Sequence, residues 1–195
     1  MAEVPQTCGD RRVWRRGITP EQWQAHGMTD DATVPSAAEA PIDRLEASRV
    51  MPSQATAIFA LLCDPQGHVD IDSTGMLLDA SGEPVGAVGD QFVVHMDREA
   101  LNDYPLGLYD VTVTIETFEQ DRDISWSIDG QMKPPIGHTY GYRLEPHDGG
   151  TLVTSYCDWS NIDPVWREAA IFPIISEAAL RATLGILDRT VRRRR

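Results

Sequence analysis

A chain of 195 residues and 21.6 kDa fits one domain with a tail better than a two-domain enzyme, since domains run about 100 to 200 residues. Thirty acidic side chains against seventeen basic ones give a formal charge of −13, which repels a phosphate backbone and makes nucleic acid an unexpected partner. No apolar run approaches the roughly 18 to 20 residues that cross a bilayer. Cys8, Cys63 and Cys157 lack paired spacing, so the expectation is free thiols in a soluble, cytoplasmic protein.

Residues 1–41 are broken by Pro5, Pro20, Pro35 and Pro41 and sustain no apolar period, which predicts a flexible N-terminal tail ahead of a domain over 42–195. Arg11, Arg12, Arg15 and Arg16 surround Trp14 in that tail. They make either a solvated segment or a contact for an acidic partner or membrane headgroups. The acidity lies in the domain, because residues 44–191 carry nine basic and 23 acidic side chains. Sixteen of the seventeen basic residues are arginine, a bias that suggests a GC-rich coding sequence and, as an expectation, a bacterial source.

Residues 44–51 read as a strand. Pro52 then opens a helix with Ala55, Ile58, Phe59 and Leu62 on one side, and Asp64-Pro65 stops it. A second short, poorly defined segment covers Gly67 to Asp72. Strands are predicted near 75–79, 90–97, 108–119, 123–129, 137–146 and 151–159, divided by turn signals such as Ser81-Gly82-Glu83-Pro84 and His147-Asp148-Gly149-Gly150. Asp163 caps a turn opened by Pro164. After Pro173, Leu180, Leu184, Leu187 and Val191 recur at helical spacing, with Glu177–Arg181 and Asp188–Arg192 as i, i+4 pairs on other faces. The Arg192 to Arg195 run extends this helix as a solvated terminus or as a site for an anionic partner. The order predicts an α+β, helix-grip (START-like) fold: a curved seven-stranded antiparallel sheet wrapped around a long C-terminal helix, with two short helices after the first strand.

If the loop at 147–150 closes a hairpin, 144 faces 153, 142 faces 155, 140 faces 157 and 138 faces 159, and these eight share the drier side. Trp126 is expected opposite Ile115, Ile128 opposite Val113 and Ile124 opposite Thr117, with Phe92, Val94 and Met96 on the same side. His95, Asp97, Ser125, Ser127 and Asp129 then point outward.

Several segments resemble the SRPBCC (START-like) superfamily, in particular its bacterial polyketide cyclase/dehydrase subgroup. They are Met51-Pro52-Ser53, Cys63-Asp64-Pro65, Val88-Gly89-Asp90-Gln91-Phe92, Ile124-Ser125-Trp126, and the hairpin from His138 to Trp159. That hairpin carries Tyr140, Tyr142, Leu144-Glu145-Pro146, Gly150-Thr151 and Asp158-Trp159-Ser160. The resemblance spans residues 43–193 and implies the helix-grip fold. The subgroup's name implies a cyclase, aromatase or dehydratase.

The residues themselves point to a ligand. A sheet gripping one helix leaves a wedge, and small-molecule pockets are mostly apolar with a few placed polar groups. The expected apolar lining is Phe92, Val94, Val113, Ile115, Trp126 and Leu184. The expected polar handles are His138, Tyr140, Tyr142, Ser155 and Cys157. Gly185, inside the final helix, either leaves room for that ligand or is simply tolerated. The inward strands carry no carboxylate, so His138 with Ser155 or Cys157 is the only reactive pair. His68, Asp70 and Asp72 alternate as on an extended segment but offer too few ligands for a metal. The expectation is therefore binding of a hydrophobic or aromatic small molecule, lipid or polyketide-like, without cofactor or metal. The alternatives are a polyketide cyclase-type enzyme and a partner-binding regulatory protein.

Overall fold

The computed structural model describes Thr19, Glu21, residues 43–99 and residues 106–194. The rest of the expected tail, with its basic cluster, lies outside the described residues. The first strand, β1 (Arg44–Met51), falls where expected. Helix α1 (Ala55–Cys63) starts later than predicted, because Pro52 and Ser53 are used in a bend and Gln54 is its N-cap residue. Thr151 Oγ1 donates to the Ser53 carbonyl at 2.8 Å and holds that bend.

Asp64-Pro65 ends α1 and at once begins α2 (Pro65–Ile71). The Asp64 carboxylate accepts from the Gln66 amide at 3.1 Å, and Pro65 occupies the first turn, where its missing N–H is not needed. The segment read as poorly defined, or extended for a metal site, is therefore a helix. Gly67 is required at its crossing with α1, since a β-carbon there would lie 2.0 Å from the Leu61 carbonyl oxygen. That close approach seats the next residue, His68, in the core.

The remaining strands are β2 (Leu77–Ser81), β3 (Gln91–Asp97), β4 (Leu108–Glu119), β5 (Asp123–Asp129), β6 (Thr139–His147) and β7 (Gly150–Asp158). They form one antiparallel sheet in the order β1-β7-β6-β5-β4-β3-β2. Helices α1 and α2 thus carry the chain from the β1 edge to the β2 edge. The β6–β7 register is the expected one, with Leu144 opposite Val153, Tyr142 opposite Ser155 and Tyr140 opposite Cys157. Trp126 lies opposite Ile115 and Ile128 opposite Val113, also as expected.

Ile124, however, faces Phe118 and not Thr117, because the β4–β5 register shifts between Ile115 and Thr117. The extra residue of this bulge, Glu116, turns outward and accepts from Ser127 Oγ at 2.6 Å. Phe118 is thereby turned onto α1, meeting Phe59 edge-on with ring centroids 5.3 Å apart. Ser125 does sit on the outer face, yet it is buried, because Tyr156 shares that face and packs against Gly141 beside it.

Asp163 caps α3 (Pro164–Glu168) through the Val165 amide, and Ser176 caps α4 (Glu177–Arg193) through the Ala179 amide. Helix α4 lies across the sheet against β1, β7, α1 and α2, with Leu180, Leu184, Leu187 and Val191 buried. A second cluster, built on Trp166, Trp159, Cys157, Ile136, Ile162 and Ile171, closes the adjoining end.

Two expectations for α4 are corrected. Asp188 pairs with Arg192 as expected, but not on a face away from the core: it is 2% exposed, and its Oδ2 accepts from Arg49 Nη2 of β1 at 3.0 Å and from Arg192 Nη2 at 3.2 Å. The terminal arginines are not all free in water, because Arg194 pairs with Asp64 at 3.4 Å and with Asp70. Removing one partner of a buried carboxylate leaves it poorly compensated. Arg49→Ala should therefore lower stability by about 1–3 kcal/mol, read as a shift of the urea midpoint with an unchanged slope. Gly185 faces open space and lines neither hollow described below. Gly185→Ala should thus raise stability by up to about 1 kcal/mol and leave ligand affinity where it was.

Candidate functional site

The grip between sheet and helix is incompletely filled. One hollow of about 180 Å³ lies between the inner sheet face, α2 and the first turns of α4. A second of about 390 Å³ lies beside it, at the end of the sheet where β3 and β5 finish and β4 and β6 begin. Thr74, Met76, Met96, Val111, Ile128, Tyr140, Ile175 and Ala179 line both, so the two are adjoining chambers with a shared wall.

Alternation along the strands supplies that wall. Val94, Val113, Trp126, Tyr140, Tyr142 and Ser155 line the first chamber, and His138 and Tyr140 line the second. Phe92, Ile115, Cys157 and Leu184 share the inner side but are packed solid, at 2%, 1%, 0% and 1% exposure, and touch neither chamber. From α4 the lining residues of the first chamber are Ala179, Leu180 and Thr183, all on the N-terminal side of Leu184. Trp159, on the same inner row, stacks on Phe172 at 5.1 Å in the second cluster.

The lining also includes Ile71, Met76, Arg98, Tyr109 and Ile175, which were not expected there, and His68 and Asp72, which the sequence marks only as a deficient metal set. Tyr109 and Val111 share the parity of Val113, and Arg98 continues the row Phe92, Val94, Met96, so alternation carried their signal. His68 became visible only with α2. Its ring lies between Phe92, at 5.0 Å, and Trp126, edge-on at 4.8 Å. Its Nε2 donates to the Leu62 carbonyl at 2.9 Å, which leaves the proton off Nδ1. Asp70 pairs with Arg194, and Asp72 accepts from the Thr74 amide, the Thr74 hydroxyl and the Leu77 amide. The three are thus bound to separate partners, and among the described residues no group of three His, Cys, Asp or Glu is placed to hold a metal ion.

The interior is a low-dielectric place. Burial lowers the His68 and His138 pKa values to about 4 and pushes Tyr142 up to about 12, against the pull of its hydrogen bond to Ser155. Tyr140 is raised well above its ordinary value by burial and by its neighbour Cys157, whose thiol burial pushes up to about 12. Tyr140 sits deep but keeps accessible area, because that area faces the chambers. His138 meets Tyr140 and Phe172 edge-on, at 5.2 and 5.3 Å, and its Nδ1 has no hydrogen-bond partner. At neutral pH these groups are all uncharged, and the charged side chains in the lining are Asp72 and Arg98.

These features define a helix-grip protein with an apolar, sparsely polar interior. The same fold occurs in solved structures. The Zhui aromatase/cyclase from Streptomyces sp. R1128 aligns with 77% of this chain and 94% of its own, at a TM-score of 0.56 and 16% identity. The AHSA1-like protein from Aeromonas hydrophila aligns with 77% of this chain and 92% of its own, at 0.51 and 18%. A protein from Mycobacterium smegmatis aligns with 78% and 93%, at 0.55 and 15%. No protein-family model and no curated protein sequence matches the chain. The architecture implied by the SRPBCC resemblance is thus the architecture of this chain, and at these identities the likeness concerns the fold. Among the described residues, no helix is long and apolar enough to cross a membrane.

Proposed function

We propose that this protein binds a hydrophobic or aromatic small molecule, lipid or polyketide-like, in the two adjoining chambers between the sheet and α4. The supporting observation is the lining itself: Ile71, Val94, Val111, Val113, Trp126 and Ile128 give apolar surface, while Tyr140, Ser155 and His138 are the polar handles. Binding is favoured over turnover. A histidine with a pKa of about 4 is a poor base at neutral pH, and the one carboxylate of the lining, Asp72, is engaged by Thr74 and Leu77. The reading takes residues 42–195 as the binding domain, in a soluble, cytoplasmic setting and without nucleic acid.

Native mass spectrometry of the purified protein should show a small molecule released on denaturation. Val113→Trp, which places an indole in the first chamber, should remove it while keeping the circular dichroism of the fold. A protein that carries nothing and takes up no apolar compound would overturn the reading.

A further inference from the structure

The two charged side chains of the lining stand in different chambers. The first chamber has the carboxylate of Asp72 at its α2 end, with Ser155 and Tyr142 as neutral polar groups farther along its wall. The second chamber gathers Arg98, Tyr109, His138 and Tyr140. Arg98 is 7% exposed, with Nη1 3.9 Å from the sulfur of Met76, which lines both chambers. Its charge acts on the Tyr140 hydroxyl, and Tyr109 stands opposite Met96 on the neighbouring strand. His138 adds a ring nitrogen whose hydrogen-bonding capacity the protein leaves unmet.

A cation in the wall of a water-poor hollow sets the sign of charge that the hollow accepts, because the attraction is far stronger there than in water. Guanidinium is planar and presents five N–H donors in a fork that matches a carboxylate. Arg98 also interacts with its own chain, and five donors leave capacity for a ligand as well. The acidic exterior, at −13 overall, disfavours the approach of polyanions and tolerates a single charge more readily. Asp72 in turn repels an anion from the first chamber.

We infer that the ligand is an apolar monocarboxylic acid, bound with its carboxylate against Arg98 in the second chamber and its apolar body toward Trp126 in the first. The inference rests on the reading of the chambers as a ligand site. It fixes the ligand's headgroup class and its orientation.

The test compares matched probes by calorimetry: 2-naphthoate with methyl 2-naphthoate, and decanoate with methyl decanoate. For the wild-type protein the acid of at least one pair should bind about tenfold or more tightly than its ester, the scale of a charge-assisted hydrogen bond. Arg98→Met should abolish that preference, so that acid and ester of the pair bind equally. Esters that bind as tightly as the acids in the wild-type protein, a comparison that needs no variant, overturn the inference and leave the ligand site standing. An acid preference that survives in Arg98→Met, with its circular dichroism unaltered, overturns the role of Arg98 and so the proposed orientation. Failure of all four probes to bind would sink the ligand site itself.

Discussion

Acidification from pH 7 to about 4 should strip several kcal/mol from the folded state, with the loss beginning near pH 6.5. His68 and His138 are both held neutral by burial, with folded pKa values of about 4 against an ordinary 6.5. Between those values the unfolded chain binds two protons that the folded chain refuses. Stability is therefore fully present above pH 6.5 and falls as the pH drops toward 4, by up to about 3 kcal/mol per ring. Asp158, lowered chiefly by Ser160 and Arg44 against the opposing effect of burial, loses its contribution only below the ordinary carboxylate range. Asp123, raised by burial, works in the opposite direction on acidification. Urea unfolding at pH 7, 5.5 and 4.5 checks the expectation: the His68→Gln/His138→Gln double variant should start less stable but show a much flatter profile. Parallel profiles would mean that water reaches the imidazoles and that they charge without penalty.

Trp126→Ala should cost about 3–5 kcal/mol, the range for truncating a packed tryptophan, and should also weaken the binding of naphthyl probes. The indole is 7% exposed, stacks on Tyr142 at 5.9 Å, supports the His68 ring at 4.8 Å and faces Ile115 and Tyr140 across the strands. Its removal joins new empty volume to the first chamber and takes away an aromatic wall. Trp126→Phe should recover most of the stability. Unchanged stability in the alanine variant would put the ring in solvent and reverse the facing of the whole sheet.

The sheet was legible because alternation and turn chemistry agree. The His147 to Gly150 turn fixes the β6–β7 register, and every partner from Leu144 to Tyr140 follows from it. The bulge at Glu116 was not legible, since no glycine or turn residue marks it and the shift emerges only when β4 and β5 pair. Helix α2 was hidden because His68, Asp70 and Asp72 alternate as on a strand, while Asp64-Pro65 reads equally as the end of one helix and the start of the next. For the site, parity shows which side chains face inward but not where packing fails. Tyr142 and Trp126 border empty space, whereas Phe92, Ile115 and Cys157 on the same side do not. Arg98 lies beyond the apolar run of β3, one inward position past Met96, where hydrophobicity no longer marks the row. Asp188 was misplaced because an acidic residue on a helix is usually a surface residue, and only the arrival of Arg49 from β1 shows otherwise.

The strand order leaves β1 and β2 at the two borders of the sheet, where free backbone groups invite another chain to add itself. Both borders discourage such recruitment. The rim at β1 alternates charge and polarity through Arg44, Glu46, Ser48 and Arg49, and β2 is only five residues long and broken by a register shift between Leu77 and Asp79. Concentrated solutions of the folded protein should accordingly resist fibrous, edge-to-edge aggregation.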